Sequence, residues 1–223
     1  MADNLPRASV TLFFISMLAY LILLPFISYP VTTLLKPLPI VCLLGLTWTA
    51  MQPSVSLKRR LTAAIVSSLV GDLALTLPVS PALPVGMACF ILAHCAYISL
   101  FLQDFSFKAR RLVYFIIMLA ILGSGYTYLW SAMGDLAVPA LIYGIVLSAM
   151  VFTALQVEQQ AGLIITGACL FFISDGVLGI NLFLMPHSNA LALAVMTTYY
   201  SAQFLLVTGL LLRNNHPKPQ WEP

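Results

Sequence analysis

Two aspartates, Asp72 and Asp175, lie inside the apolar runs AIVSSLVGDLALTL and LFFISDGVLGI, whereas the other acidic residues fall at ends or between hydrophobic segments. A carboxylate in hydrocarbon costs about 2.5–3.5 kcal/mol even on the gentlest insertion scale, so its default reading is functional. Lys36 is the one basic residue similarly placed. Two carboxyl groups in a low-dielectric pocket do not ionise together easily, because desolvation and mutual repulsion both oppose the second charge. The expected outcome at neutral pH is one protonated acid beside one carboxylate, a general acid with a general base or cation stabiliser. Lys36 would favour ionisation of whichever aspartate it approaches, or bind an anionic group on a substrate. Such a set suits acid-catalysed hydrolysis through a cationic intermediate.

The elements that must position these charges are membrane helices. With 61% hydrophobic and 8% charged residues and a mean hydropathy of +1.00, the 223-residue chain reads as an all-α, polytopic membrane protein rather than a soluble domain. Its partners are therefore membrane lipids and not nucleic acid. Spans need roughly 17–25 apolar residues each, and eight are expected, near 9–28, 31–51, 60–78, 83–103, 111–131, 135–155, 160–184 and 190–212. The connections are too short for a soluble domain, so residues 1–223 form a single integral-membrane domain, with a polar C-terminal tail RNNHPKPQWEP. The first apolar run follows Arg7 as a signal peptide would, but its length and the lack of a small-residue cleavage site favour a retained helix. Cys42, Cys89, Cys95 and Cys169 fall inside predicted helices without CxxC spacing and read as packing residues.

Basic residues set the orientation. Arg7, Lys58, Arg59, Arg60, Lys108, Arg110, Arg111, Arg213 and Lys218 all fall on one side of an eight-span bundle. The positive-inside rule places that side, and both termini, in the cytoplasm. The short loops and minimal tail favour a bacterial inner membrane over the endoplasmic reticulum.

With this topology each polar residue has an approximate depth below the outer surface. At 1.5 Å per residue, Lys36 comes at about 8 Å, Asp72 at about 9 Å, Tyr143 at about 12 Å and Asp175 at about 13 Å. Tyr199 and Tyr200 come at about 15 Å and His94 at about 16 Å. Scarce polar groups from separate spans thus share one slab of the outer half. His94 with Tyr97 (i,i+3), Tyr199 with Gln203 (i,i+4) and Tyr200 with Gln203 (i,i+3) share faces. The expectation is a polar pocket inside the bundle, open toward the outer leaflet. Each residue also has a bland reading. Tyr97, Tyr143 and Gln203 are the kind of side chain that hydrogen-bonds neighbouring helices. His94 alone would be a satisfied core histidine, and Lys36, before Pro37, would snorkel to the interface. The aspartates themselves would be a structural pair joining the third and seventh spans.

Competing chemistries can be weighed from residues. VGD superficially resembles the GxGD of intramembrane aspartyl proteases, but Leu69 stands where their first glycine should be, and no YD pair exists. Of three histidines, His187 and His216 fall outside the spans, so a closed zinc site is not expected; Asp72, His94 and Asp175 are the one mixed ligand set within the spans. There is no GxSxG elbow and no phosphate loop. A proton-coupled or lipid transporter is the alternative reading, since buried acids are also its working parts. GDLAL at 71–75 and SDGVL at 174–178 hint at two four-helix repeats, which would suit a transporter too.

The ordered set KPLPIVCL around Lys36, GDLAL around Asp72, AHCAY around His94, ISDGVL around Asp175 and VMTTYYSAQ around Tyr199 resembles the lysoplasmalogenase family of YhhN-like membrane proteins. The resemblance spans essentially the whole chain and implies an eight-helix protein. It implies hydrolysis of the vinyl ether bond of lysoplasmalogens without a cofactor, giving a fatty aldehyde and glycerophosphoethanolamine or glycerophosphocholine. Lys36, Asp72, His94, Asp175, Tyr199 and Gln203 fall on matching positions. The substrate expected is then a lysophospholipid. One aspartate would protonate the vinyl carbon and the other stabilise the oxocarbenium ion, with Asp72 provisionally the acid. Lys36 would hold the phosphate, and Tyr199, Tyr200, Gln203 and His94 would orient water or glycerol oxygens.

Overall fold

The computed structural model describes residues 5–50, 53–186 and 188–213. The C-terminal tail beyond Arg213, with His216 and Lys218, and His187 lie outside the described residues. The helices are α1 (Arg7–Leu23), α2 (Val31–Leu35), α3 (Leu38–Thr49), α4 (Val55–Thr76), α5 (Ala82–Phe101), α6 (Leu112–Met133), α7 (Ala137–Leu155), α8 (Ala161–Phe183) and α9 (Asn189–Leu211). Among the described residues no strand forms, and the one β-bridge joins Phe105 to Val157. Among the described residues six stretches are long and apolar enough to cross a membrane: Arg7–Phe26, Val31–Thr49, Ala82–Asp104, Ala109–Leu155, Ala161–Phe183 and Asn189–Leu211. The chain is therefore an all-helical, multi-pass membrane protein.

Local sequence explains where the helices start and break. Ser54 and Ser188 cap α4 and α9, their hydroxyls accepting from the N–H groups of Leu57 and Leu191. Ala109–Leu155 folds back on itself at Gly134, whose φ of 51° is left-handed backbone suited to glycine. The span expected at 31–51 is not one helix. Pro37 and Pro39 lack the N–H groups that would continue the ladder of α2 into α3, so the chain breaks at Lys36–Pro37. The break leaves carbonyls that an intact helix would satisfy. Tyr200 of α9 donates its hydroxyl to the Lys36 carbonyl at 2.7 Å.

One end of the bundle is tied together by basic side chains on helix-terminal carbonyls. Lys58 Nζ donates to Trp48 O, Arg60 Nη1 to Ser99 O, Arg213 Nη1 to Leu100 O, and Arg111 Nη1 to Leu155 O and Val157 O. These carbonyls lie in or beside the last turns of α3, α5 and α7, where the helix dipole favours cations. Asp104, buried in the same region, accepts from the N–H groups of Glu158 and Gln159 at 3.1 and 2.7 Å. It thereby fastens the α5–α6 connection to the α7–α8 connection.

The closest pairs are α4 with α5 and α8 with α9. Small residues let the backbones approach, as membrane helices without a hydrophobic driving force require. A methyl group on Gly167 of α8 would sit 3.1 Å from the Ala202 carbonyl oxygen and 2.9 Å from Leu206 Cγ. This contact sets the register of α8 against α9, and so of Asp175 against Tyr199. Gly167→Val is expected to cost about 1–3 kcal/mol by overpacking. The checking measurement is thermal unfolding in detergent, with Gly162→Val, where no atom lies within 4 Å of an added methyl, as the neutral comparison.

Candidate functional site

The polar residues gather into two hydrogen-bonded clusters, one around each aspartate. Asp72 leaves α4 to meet the helix break, where Lys36 Nζ lies 3.1 Å from its Oδ1. Tyr199 of α9 donates to its Oδ2 at 2.7 Å. The Lys36 side chain is 11% exposed and that of Asp72 2%, so this is a buried ion pair. Behind it, Tyr97 of α5 donates to Gln203 Oε1 at 2.6 Å. The Gln203 amide nitrogen reaches Ser68 Oγ at 2.9 Å and the Tyr199 hydroxyl at 3.4 Å. A polar chain therefore runs from α5 through α9 to the Asp72 carboxylate.

Asp175 belongs to the second cluster. Tyr143 of α7 donates its hydroxyl to Asp175 Oδ2 at 2.6 Å. His94 Nε2 lies 3.1 Å from the same hydroxyl and 3.9 Å from Oδ2. Because the phenol proton is committed to Asp175, the histidine must donate through Nε2–H. That tautomer leaves Nδ1 a bare lone pair, and Nδ1 is indeed buried without a partner among the described residues. The relay runs His94 to Tyr143 to Asp175.

Aromatic rings separate the clusters. Phe171 packs edge-on against His94 (centroids 4.8 Å apart) and against Tyr199 (5.6 Å), and Phe90 packs edge-on against Phe171 and Tyr199. Both aspartates nevertheless face one cavity of about 1070 Å³. Its polar wall includes Lys36, Asp72, Tyr143, Asp175 and Tyr199, and the rest is mostly aliphatic and aromatic. The volume sits at the upper end of the usual ligand-pocket range, roughly 300–1,000 Å³.

All nine polar residues singled out from the sequence, Tyr97 among them, thus enter these two networks, but not equally. Tyr200, Gln203 and His94 stand behind the cavity wall and hydrogen-bond to Lys36, Tyr199 and Tyr143, which line it. The aspartates do not pair with each other. Asp72, His94 and Asp175 do not form one metal-ligand set either: among the described residues no three His, Cys, Asp or Glu side chains come together for that purpose. Lys36, expected to favour ionisation of whichever aspartate it approaches, to hold a phosphate or to snorkel, turns inward to Asp72 while still lining the cavity. Two residues escaped the sequence reading. Ser68 is buried on α4 under Gln203, and Tyr20 of α1 lines the cavity with its ring edge-on to Tyr200, 6.0 Å away. Only the eventual neighbourhood distinguishes either one.

Removing one member of a buried ion pair strands the other charge and costs about 3–5 kcal/mol, whereas removing both costs less than the sum. Lys36→Met and Asp72→Asn are each expected to lower unfolding stability in detergent. The double variant should recover part of the loss, and strict additivity would show that the pair carries no coupling.

The sequence profile of the YhhN family matches residues 31–210. "Lysoplasmalogenase TMEM86B" of Homo sapiens is 39% identical over 189 residues, covering 83% of this chain and 77% of the human protein. The Rattus norvegicus protein of the same name is 33% identical, over 81% of this chain and 73% of its own. "Lysoplasmalogenase" of Mycobacterium tuberculosis is 30% identical, over 72% and 63% respectively. No solved structure matches the chain. A profile covering all of the span from the helix break through α9, together with relatives at this identity, establishes that the chain belongs to the YhhN family.

Proposed function

We propose that this protein is a lysoplasmalogenase, hydrolysing the vinyl ether of a single-chain phospholipid within the membrane. The products would be a fatty aldehyde and glycerophosphoethanolamine or glycerophosphocholine. Relatives in animals and mycobacteria carry that name, and none of those names supports the transporter reading. The observation that carries the mechanism is the inequality of the two aspartates on one cavity wall.

Asp72 has a cation at 3.1 Å, while Asp175 has a phenol and an imidazole as its partners. The distribution that leaves the apolar interior without net charge is Lys36 ammonium, Asp72 carboxylate and protonated Asp175. Asp175 is therefore the general acid, in place of Asp72. Tyr143 occupies Oδ2, so Oδ1 carries the proton toward the substrate. Transfer to the β-carbon of the vinyl ether gives an oxocarbenium ion, which the Asp72 carboxylate stabilises. Water adds to the cationic carbon and returns a proton to Asp175; the hemiacetal then collapses to aldehyde and the glycerol hydroxyl. Tyr199 and Tyr20 orient the reacting groups from the cavity wall. His94, Tyr200 and Gln203 position Tyr143, Lys36 and Tyr199.

The whole chain is read as one membrane domain of eight spans with both termini cytoplasmic. Ala109–Leu155 then counts twice because it turns at Gly134, and α4 is the eighth span despite Lys58, Arg59 and Arg60 in its first turns. The gathering of basic side chains at one end supports this orientation. Short connections support a bacterial inner membrane.

The test is fatty-aldehyde release from a lysoplasmalogen by detergent-purified protein, with and without chelator. Wild-type activity is expected to survive chelation. Asp175→Asn and Asp72→Asn, checked for folding, should each lose about 10²–10⁴-fold, the usual worth of a positioned acid or base. A folded wild type that releases no aldehyde would overturn the reading.

A further inference from the structure

We propose that the substrate's hydrocarbon chain leaves the cavity sideways, through a window between α6 and α8 that Gly125 and Gly176 hold open. This rests on the lipid-hydrolase reading above. The occupant is the alkenyl chain of a single-chain amphiphile, running from the carboxyl cluster into the surrounding lipid.

The rim of the window is built at helical spacing on both sides. On α6, Ile121, Gly125 and Tyr128 follow i, i+4, i+7; on α8, Ile173, Gly176 and Ile180 follow i, i+3, i+7. All six line the cavity and all six are exposed, Tyr128 at 74%. A residue that does both lies at a mouth rather than on an inner wall. Each rim carries its glycine in the middle, and a methyl added at Gly125 or Gly176 would meet no atom within 4 Å. One turn further along, the helices do meet, for a methyl on Gly179 would lie 3.5 Å from Leu129 Cδ1. The gap is thus closed at that end, and it opens beside Asp175, the immediate chain neighbour of Gly176.

The position and lining fit a hydrocarbon chain. Both rims are apolar apart from the Tyr128 hydroxyl, and lipid lies outside them, so a chain passing through stays in an apolar medium throughout. A vinyl ether placed at Asp175 has its hydrocarbon side directed at the window. The glycines are specificity-determining because any longer side chain there projects into the gap without disturbing packing elsewhere.

Gly125→Leu narrows the window from the helix that carries no proposed catalytic residue. Gly123→Leu is its control, since Gly123 also has open space around it but lies outside the cavity wall. Aldehyde release is measured with a hexadecenyl lysoplasmalogen and a hexenyl analogue that fits within the cavity. The expected result for Gly125→Leu is a loss of about tenfold or more in kcat/KM for the long chain, with little change for the short one. Gly123→Leu should keep the wild-type profile. Equal losses on both chains, or none, would overturn the window while leaving the hydrolase reading intact. A second readout needs no turnover: a single-chain phospholipid with a terminal diazirine should photolabel α6 or α8 in the wild type and markedly less in Gly125→Leu. Equal labelling of the two would overturn the window whether or not the protein hydrolyses the lipid.

Discussion

The bilayer offers no water to a polar group, and this constraint organises the molecule around the break at Lys36–Pro37. The two prolines near Lys36 end one helix and start another, leaving a carbonyl and an ammonium inside apolar surroundings. Each must find a partner in another helix. Tyr200 takes the carbonyl and Asp72 the ammonium, so one irregularity in the chain fixes α4 and α9 against the break. Tyr199, next to Tyr200, then falls on the other oxygen of Asp72. Gln203, one turn on, links the same helix to Tyr97 and Ser68. Much of the first cluster follows from satisfying this one break.

The two clusters share a plan. Asp72 on α4 is held by Lys36, just before α3, and by Tyr199 of α9. Asp175 on α8 is held by Tyr143 of α7, which His94 of α5 backs. In both, the aspartate lies on the first helix of a tightly packed pair, α4–α5 or α8–α9. In both, the last helix of the opposite pair contributes to its network. This crossed arrangement is what two four-helix repeats facing each other would produce, and it gives physical content to the slight likeness of GDLAL and SDGVL. Where the halves differ is the chemistry of the partner, a lysine in one and a tyrosine in the other.

What the sequence made legible is what hydrocarbon penalises. Asp72, Asp175 and Lys36 stand out because charges among apolar residues are rare. The helix ends were nearly as readable, because polar and charged breaks separate long apolar runs. The break within the second span was marked by the prolines of KPLP, but apolar flanks outweighed them in a count of span length. Which aspartate receives the lysine was not legible at all. That depends on the rotation of α4 about its axis, set by packing such as Gly71 against Phe90. Tyr20 was hidden for the same reason: one tyrosine in an apolar helix looks alike whether it faces lipid, core or cavity.

That rotation is also what makes the two aspartates chemically unlike. On one cavity wall, in apolar surroundings, two identical side chains would compete for one charge and neither would have a fixed role. Placing a cation on one and a neutral hydroxyl on the other removes the competition, because the ion pair already balances the only charge the interior must carry. In the proposed mechanism the second carboxyl is the one that holds a proton. That proton would face a largely apolar wall, where a vinyl ether, a weak base, would have few hydrogen-bonding competitors. The cation that protonation would produce would arise within the same cavity that Asp72 lines. The aromatic partition of Phe90, Phe171 and Tyr199 stands between the two aspartates, so in the proposed mechanism the substrate, and not a hydrogen bond between them, is what would connect them.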